Sequence, residues 1–214
     1  MSLVIAIDGP AAAGKGTLAR RLAEHYRLAY LDSGSLYRGT ALTLLRQGLE
    51  SPDESAAVAA AKGLRPEILA DPALRAEATG ALASKIAVIP AVRAALLDWQ
   101  RDFAARPPSG KQGAVLDGRD IGTVVLPGAM VKFYVTASDE ARAMRRFKEL
   151  QAKGGTAIYA RVLEDMRERD SRDTARSTAP MRPADDALII DTSALDAEQV
   201  FQRARDYVDR RIQN

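Results

Sequence analysis

Gly9, Gly14 and Lys15 carry the clearest chemistry in this chain. The run Gly9-Pro10-Ala11-Ala12-Ala13-Gly14-Lys15 has the G-x-x-x-x-G-K spacing of a phosphate-binding loop. In such a loop the glycines let backbone N–H groups converge on one spot, and the lysine adds a full positive charge where the outer phosphates of a nucleotide would lie. The hydroxyl comes one place late: Gly16 stands between Lys15 and Thr17, which leaves direct magnesium ligation by Thr17 open. The alternative is a glycine-rich turn that only joins a strand to a helix.

Three other stretches hold polar residues at turns. Asp32-Ser33-Gly34 ends a short apolar run, either as ligand groups or as a plain helix cap. Gly118-Arg119-Asp120 ends another run. There Arg119 suits a phosphate and Asp120 a donor such as an exocyclic amine, unless the two only satisfy each other. Further on, if the segment stays helical, Arg169, Arg172 and Arg176 share about 60° of arc. The pairs Asp165–Arg169 and Glu168–Arg172 have the i,i+4 spacing of an ordinary solvated helix, so that face reads equally as an exposed one. Arg75 and Arg93 are the notable cations in between, with solvated surface arginines as the alternative for both.

These residues need a scaffold that gathers them. Leu3 to Asp8 is the length of a buried parallel strand, and Lys15 to Tyr26 is helix-forming, with Leu18, Leu22 and Tyr26 on one face. The order strand, glycine-rich turn, helix puts a helix N-terminus at the phosphate site. Leu28–Asp32, Ala114–Asp117, Val131–Val135 and Leu188–Asp191 read as four more strands, and ligands in open α/β sheets sit beyond the carboxyl ends of strands. Between Ser51 and Arg106 the texture is alanine-rich and helical. Ser51-Pro52-Asp53-Glu54 reads as a capping box, Asp71-Pro72 as the start of a helix running toward Pro90, and 91–106 as a third helix. So long an excursion points to a substrate-binding cap, with an ordinary helical layer as the alternative. Ser138 caps a helix that closes with Lys153 before Gly154-Gly155. Those glycines and the prolines at 180 and 183 read as hinges of a mobile lid. Asp196 to Gln213 makes a closing amphipathic helix.

Composition narrows the function classes. At 214 residues and 47% hydrophobic, the chain can bury the core of one domain. Its net charge of +3, without a concentrated basic tract, suits an anionic small molecule better than a nucleic-acid polymer. With no cysteine there is no disulfide framework or thiolate metal site, and the single histidine, His25, reads as a surface or cap residue. No apolar run approaches the ~18 residues of a membrane span, and no basic region precedes the first apolar stretch, so the expected location is the cytoplasm. No surface stripe argues for a dimer, and a monomer is expected.

Taken together, Ile7–Thr17, Leu31–Arg38, Asp117–Thr123 and Glu168–Arg176 resemble the bacterial cytidylate kinases, in the order that family has them and over nearly the whole chain. Gly-Lys-Gly-Thr is likewise the form of nucleoside monophosphate kinases. The resemblance implies an α/β fold: a five-stranded parallel sheet P-loop kinase core, formed by 1–214 as one domain. It adds a helical monophosphate-binding insertion at about 38–106 and a mobile lid at about 154–178. It implies ATP-binding by Gly9, Pro10, Ala11, Ala12, Ala13, Gly14, Lys15, Gly16 and Thr17, with Lys15 on the phosphates. CMP or dCMP would be the acceptor. Arg38, Arg119 and Arg169 would hold its phosphate, Ser33 and Asp173 its ribose, and Arg93 and Asp120 its base, with Arg176 as a lid cation on the transferring group. Mg²⁺ is implied, with Thr17 or Asp117, directly or through water, as its ligands. Longer members carry a small antiparallel sheet in the insertion that brings a serine to the base. This chain lacks that stretch, Asp71 falls near its place, and no third base contact is assigned.

Other small-molecule kinases fit less well. A thymidylate kinase would show Asp-Arg-aromatic after the third strand and a shikimate kinase Asp-x-Asp at the second. A GTP switch would need Asn-Lys-x-Asp, and the only asparagine is Asn214. Nothing marks a transport or motor ATPase.

Overall fold

The computed structural model describes residues 2–152 and 154–213, so the predicted helix-closing cation Lys153 and Asn214 lie outside the described residues. Five strands make one parallel sheet in the order β2-β3-β1-β4-β5: β1 (Leu3–Asp8), β2 (Ala29–Asp32), β3 (Gly113–Asp117), β4 (Val131–Thr136) and β5 (Leu188–Asp191). β1 runs through the middle, with Ile5 opposite Val115 on one side and Val131 on the other. Both faces of a central parallel strand are covered, which is why β1 reads as a continuous apolar run instead of an alternating one.

The chain divides into two compact units, 1–31 with 107–214, and 32–106. In the first, Ile5, Ile7, Val115, Phe133, Val135 and Ile190 form a core with two helices. These are α1 (Lys15–His25), through Leu18 and Leu22, and α8 (Ala197–Gln213), through Val200, Phe201, Ala204 and Val208. The helices α6 (Asp139–Ala152) and α7 (Tyr159–Ala175) pack on each other through Ala143, Val162 and Met166. The loop residues Ala11 and Ala12 lie against that cluster. Ser138 caps α6 as the sequence suggests, its Oγ accepting from Ala141 N–H, and Asp196 and Gln199 cap α8 reciprocally. His25 is exposed at the end of α1, edge-on to Phe201.

The second unit is helical, as expected: α2 (Ser33–Arg46), α3 (Glu54–Lys62), α4 (Glu77–Ile86) and α5 (Pro90–Ala105), with no strand among its described residues beyond the end of β2. Two boundaries differ from the sequence reading. The cap of α3 is Asp53, which accepts from Ala56 N–H at 2.7 Å, because a carboxylate is a stronger acceptor than the Ser51 hydroxyl; Pro52 therefore precedes the cap. The helix expected from Pro72 to Pro90 breaks at Ala76, leaving a 3₁₀ turn at Pro72–Arg75 before α4. Thr79 Oγ1 takes the Ala73 carbonyl and Arg38 takes that of Leu74, both at 2.9 Å, so the carbonyls a continuous helix would use are already occupied. A second 3₁₀ turn, Pro66–Ala70, was not marked by any periodicity.

Candidate active site

The phosphate loop leaves β1 through Gly9, whose φ is +139° and where an added Cβ would lie 2.0 Å from the Val135 carbonyl oxygen. No side chain fits there. Gly14 takes the left-handed conformation (φ +97°) that opens α1. Ala12 sits at φ 56°, a conformation that costs an alanine energy and concentrates at ligand clamps. The displaced hydroxyl also has a local reason. A Cβ at Gly16 would come within 3.3 Å of Asp117 Oδ2, so glycine lets that carboxylate lie close to the first turn of α1, while Thr17 is exposed one step on.

Lys15 is buried, its Nζ donating to the Pro10 carbonyl at 2.7 Å. Burial presses its ammonium down to about 7. Arg119 pushes it the same way, Asp117 and Asp8 pull it up, and Arg169 repels it again. Arg119, from the loop after β3, and Arg169, from α7, thus lie close enough to Lys15 to repel its charge. Like charges brought together out of water are costly without an anion between them.

A carboxylate from α7 fixes one of these cations. Arg119 Nε donates to Asp173 Oδ2 at 2.9 Å, and its Nη1 to the Gly118 carbonyl. Its ion pair is with Asp173 on α7, 54 residues further along the chain. Burial works against Arg119's charge, but Asp173, with Asp170 and Asp117, outweighs it and holds the guanidinium protonated. Burial likewise works against the Asp173 carboxylate, and Arg119, Arg176 and Arg169 together keep its pKa below the usual range. Asp120 is buried at the head of a wide π-helical turn, Ile121–Val125, and raises the pKa of Asp8, which places their charges within reach.

The arginine arc does not survive as a helix face. α7 stops at Ala175 and Arg176 is extended (ψ 133°), because the Asp173 carbonyl accepts from Met181 N–H and from Arg176 Nε. Arg176 is buried, Arg169 half-buried, and Arg172 is exposed on a surface pair with Glu168 at 3.2 Å. The functional reading of this stretch thus narrows to Arg169, Asp173 and Arg176.

In the helical unit, Ser33 is buried at the start of α2, where Asp32 supplies no side-chain cap bond and is exposed. Arg38 donates to the Leu74 carbonyl and lies against Gly80, where a Cβ would sit 3.2 Å from its Nη1. Arg93 is buried, donating to the Ala87 carbonyl, with its guanidinium 5.7 Å from the Tyr37 ring centre. Arg75 is exposed.

Several contributors escape the sequence pattern. Arg142 on α6 is buried with four partners: the Ala11 carbonyl of the phosphate loop, the Ala137 carbonyl, Asp139, and Asp170 of α7 at 2.5 Å. Arg145 bonds Thr192 and reaches toward Ala12. In sequence both look like surface arginines of a charged helix. Ser84 on α4 has a buried hydroxyl with no hydrogen-bond partner among the described residues, a costly arrangement unless a ligand completes it.

The loop end also suits Mg²⁺, which takes one or two carboxylates and leaves its other positions to phosphate and water. Asp117 is a buried carboxylate beside Gly16, with Thr17 on the same turn. Among the described residues no three His, Cys, Asp or Glu side chains cluster to cage a metal on their own. No single described helix is long and apolar enough to cross a membrane.

Comparison with known proteins gives the family of the chain. The sequence pattern of a family described as cytidylate kinase matches residues 5–210. The cytidylate kinase of Paramagnetospirillum magneticum is 61% identical over 204 residues, covering 95% of this chain and 96% of that one. That of Rhodospirillum rubrum is 54% identical over 99% of both chains. Among solved structures, an unliganded sugar kinase from Janibacter sp. HTCC2649 superposes with a TM-score of 0.51 at 13% identity, covering 98% of this chain and 95% of that one. An uncharacterised protein from Eubacterium ventriosum reaches 0.56 at 13% identity, covering 97% and 98%. These two likenesses concern the fold alone.

Proposed function

The chain belongs to the cytidylate kinase family, whose members transfer the γ-phosphoryl group of ATP to CMP, and from that premise we propose how its residues divide the work. The observation that carries the proposal is the loop from Gly9 to Gly14, with no room for a side chain at Gly9, which delivers Lys15 to the start of α1 with Arg119 and Arg169 close enough to repel its charge. The residues from Gly9 to Thr17 cradle the ATP phosphates. Arg38, Arg119 and Arg169 hold the CMP phosphate, and Arg176 stabilises charge on the group in flight. Ser33 and Asp173 bind ribose. Arg93 and Asp120 read cytosine, and the orphaned Ser84 hydroxyl supplies the third polar contact that the sequence left unassigned. The stretch 38–106 serves as the monophosphate-binding insertion and 154–178 as a lid. We propose dCMP as a second acceptor, a cytoplasmic monomer, and no membrane or nucleic-acid polymer as partner.

The acceptor explains the absence of a general base from this scheme. A phosphate monoester is largely dianionic at neutral pH, since its second pKa is about 6, so it attacks without losing a proton to the protein. The barrier is repulsion between two anions. Lys15 and the arginines lower it by neutralising both phosphates and holding them in line, and closure over the pair keeps water from the γ-phosphate. Thr17 or Asp117, directly or through water, would hold Mg²⁺, which when bound would supply further neutralisation of phosphate charge. Arg119→Ala tests the scheme. Removing one donor of this kind costs about 10²–10³-fold in kcat, and a folded variant with near-normal kcat would refute the assignment.

A further inference from the structure

We propose that Asp8 is a positioning residue that locks the Arg119–Asp120 loop to the phosphate loop and so sets the separation of donor and acceptor phosphates. The inference rests on the role given above to Arg119.

The backbone itself stops holding these two loops together just where the site begins. The pairing of β1 with β3 runs as far as Ile7 opposite Asp117, and ends with Gly118 N–H donating to the Ile7 carbonyl at 2.9 Å. Beyond that point the Asp8 side chain takes over from the sheet. Its Oδ1 accepts from Ile121 N–H and its Oδ2 from Gly122 N–H, each at 2.7 Å. A two-point grip fixes the turn in angle as well as distance, as single contacts do not.

Both ends of this strut are rigid. Asp8 immediately precedes Gly9, which is packed onto the Val135 carbonyl with no room for a side chain. On the far side, the Asp120 carbonyl accepts from Val124 and Val125 N–H, tying the π-helical turn to the residue after Arg119. Gly122 leaves clearance for the grip: a Cβ there would stand 3.4 Å from Asp8 Oδ2 and 3.2 Å from the Lys132 side chain.

The residue chosen for this task is expensive. Asp8 is 3% exposed, and burial drives its carboxyl up to about 6 even though the Gly122 and Ile121 amides favour the charged form. A fold that needed only a filler would be more stable with a neutral side chain. Two parallel acceptors on one short stem are what a carboxylate offers and an amide does not, because one arm of asparagine is a donor.

The test is a double-mutant cycle of Asp8→Asn with Arg119→Ala, with kcat and KM for ATP and CMP and the Tm of each protein. Asp8→Ser, which keeps one short acceptor, is run beside it. If Asp8 acts through Arg119, Asp8→Asn lowers kcat by about 10–100-fold with both KM values within about threefold. In the Arg119→Ala background the same change then costs less than about threefold, whatever the loss of one acceptor does to Tm. Equal losses in both backgrounds, an unchanged kcat, or a fall in Tm with both KM values raised would overturn the proposal, as would failure of both Asp8 variants to fold. If Arg119→Ala alone keeps its kcat, the reading of Arg119 fails instead.

Discussion

Nucleotide binding should recharge Lys15. Burial and the neighbouring Arg119 press its ammonium down to about 7, so its charge is held only weakly near neutral pH. Bound phosphates supply the missing counter-charge and return the lysine toward its ordinary ~10. Because the bound form holds the proton more tightly, affinity is greatest at low pH and weakens as pH rises through the free-state pKa. Binding at pH 8 should then take up about 0.9 proton per nucleotide. The apparent Kd should rise about fivefold from pH 7 to 8 and nearly tenfold over the next unit. Titration calorimetry with ADP and Mg²⁺, in two buffers of different ionisation enthalpy, reads the uptake directly. At pH 8 the terminal phosphate is already ionised and adds little of its own. Lys15→Ala should abolish both the uptake and most of the turnover. No proton uptake, with a Kd flat from pH 7 to 9, would refute the idea that like charges gather here to receive an anion.

Arg176→Ala should lower kcat more than it weakens CMP binding, because a cation on the group in flight acts mainly in the transition state; a normal kcat would show that this buried arginine only ties off the end of α7. Asp120→Asn should reduce the CMP-to-UMP ratio of kcat/KM about ten- to a hundredfold, mostly through loss on CMP, since a carboxylate accepts from the cytosine amine and repels the uracil carbonyl. An unchanged ratio would move cytosine reading to other residues. Arg142→Met leaves Asp170 without its guanidinium and frees the Ala11 carbonyl. It should cost about 3 kcal/mol and raise hydrogen exchange across 159–175, and unaltered exchange there would contradict the anchoring of α7 by this residue.

The sheet was legible because its strands are short apolar runs that each stop at a polar turn, and the phosphate loop because glycine spacing is a backbone requirement visible in one dimension. What escaped depends on contacts between residues far apart in the chain. Arg119 lies next to Asp120 in sequence, yet its partner is Asp173, 54 residues on. Arg142 has the spacing of a solvated arginine, and only the packing of α6 on α7 shows it buried. The helix expected from Pro72 failed at Ala76 because Arg38, from another helix, claims a carbonyl that periodicity assigns to the helix itself. Asp8 read as the end of a strand, since its role rests on two backbone amides more than a hundred residues away.

A kinase that selects CMP is defined by which monophosphate it turns over. The most direct test measures kcat/KM for ADP formation with ATP and Mg²⁺ against CMP, dCMP, UMP, AMP, dTMP and shikimate. CMP and dCMP should be turned over, with UMP disfavoured by about ten- to a hundredfold if Asp120 accepts from the cytosine amine. Equal or better turnover of AMP, dTMP or shikimate, or none with CMP, would contradict it.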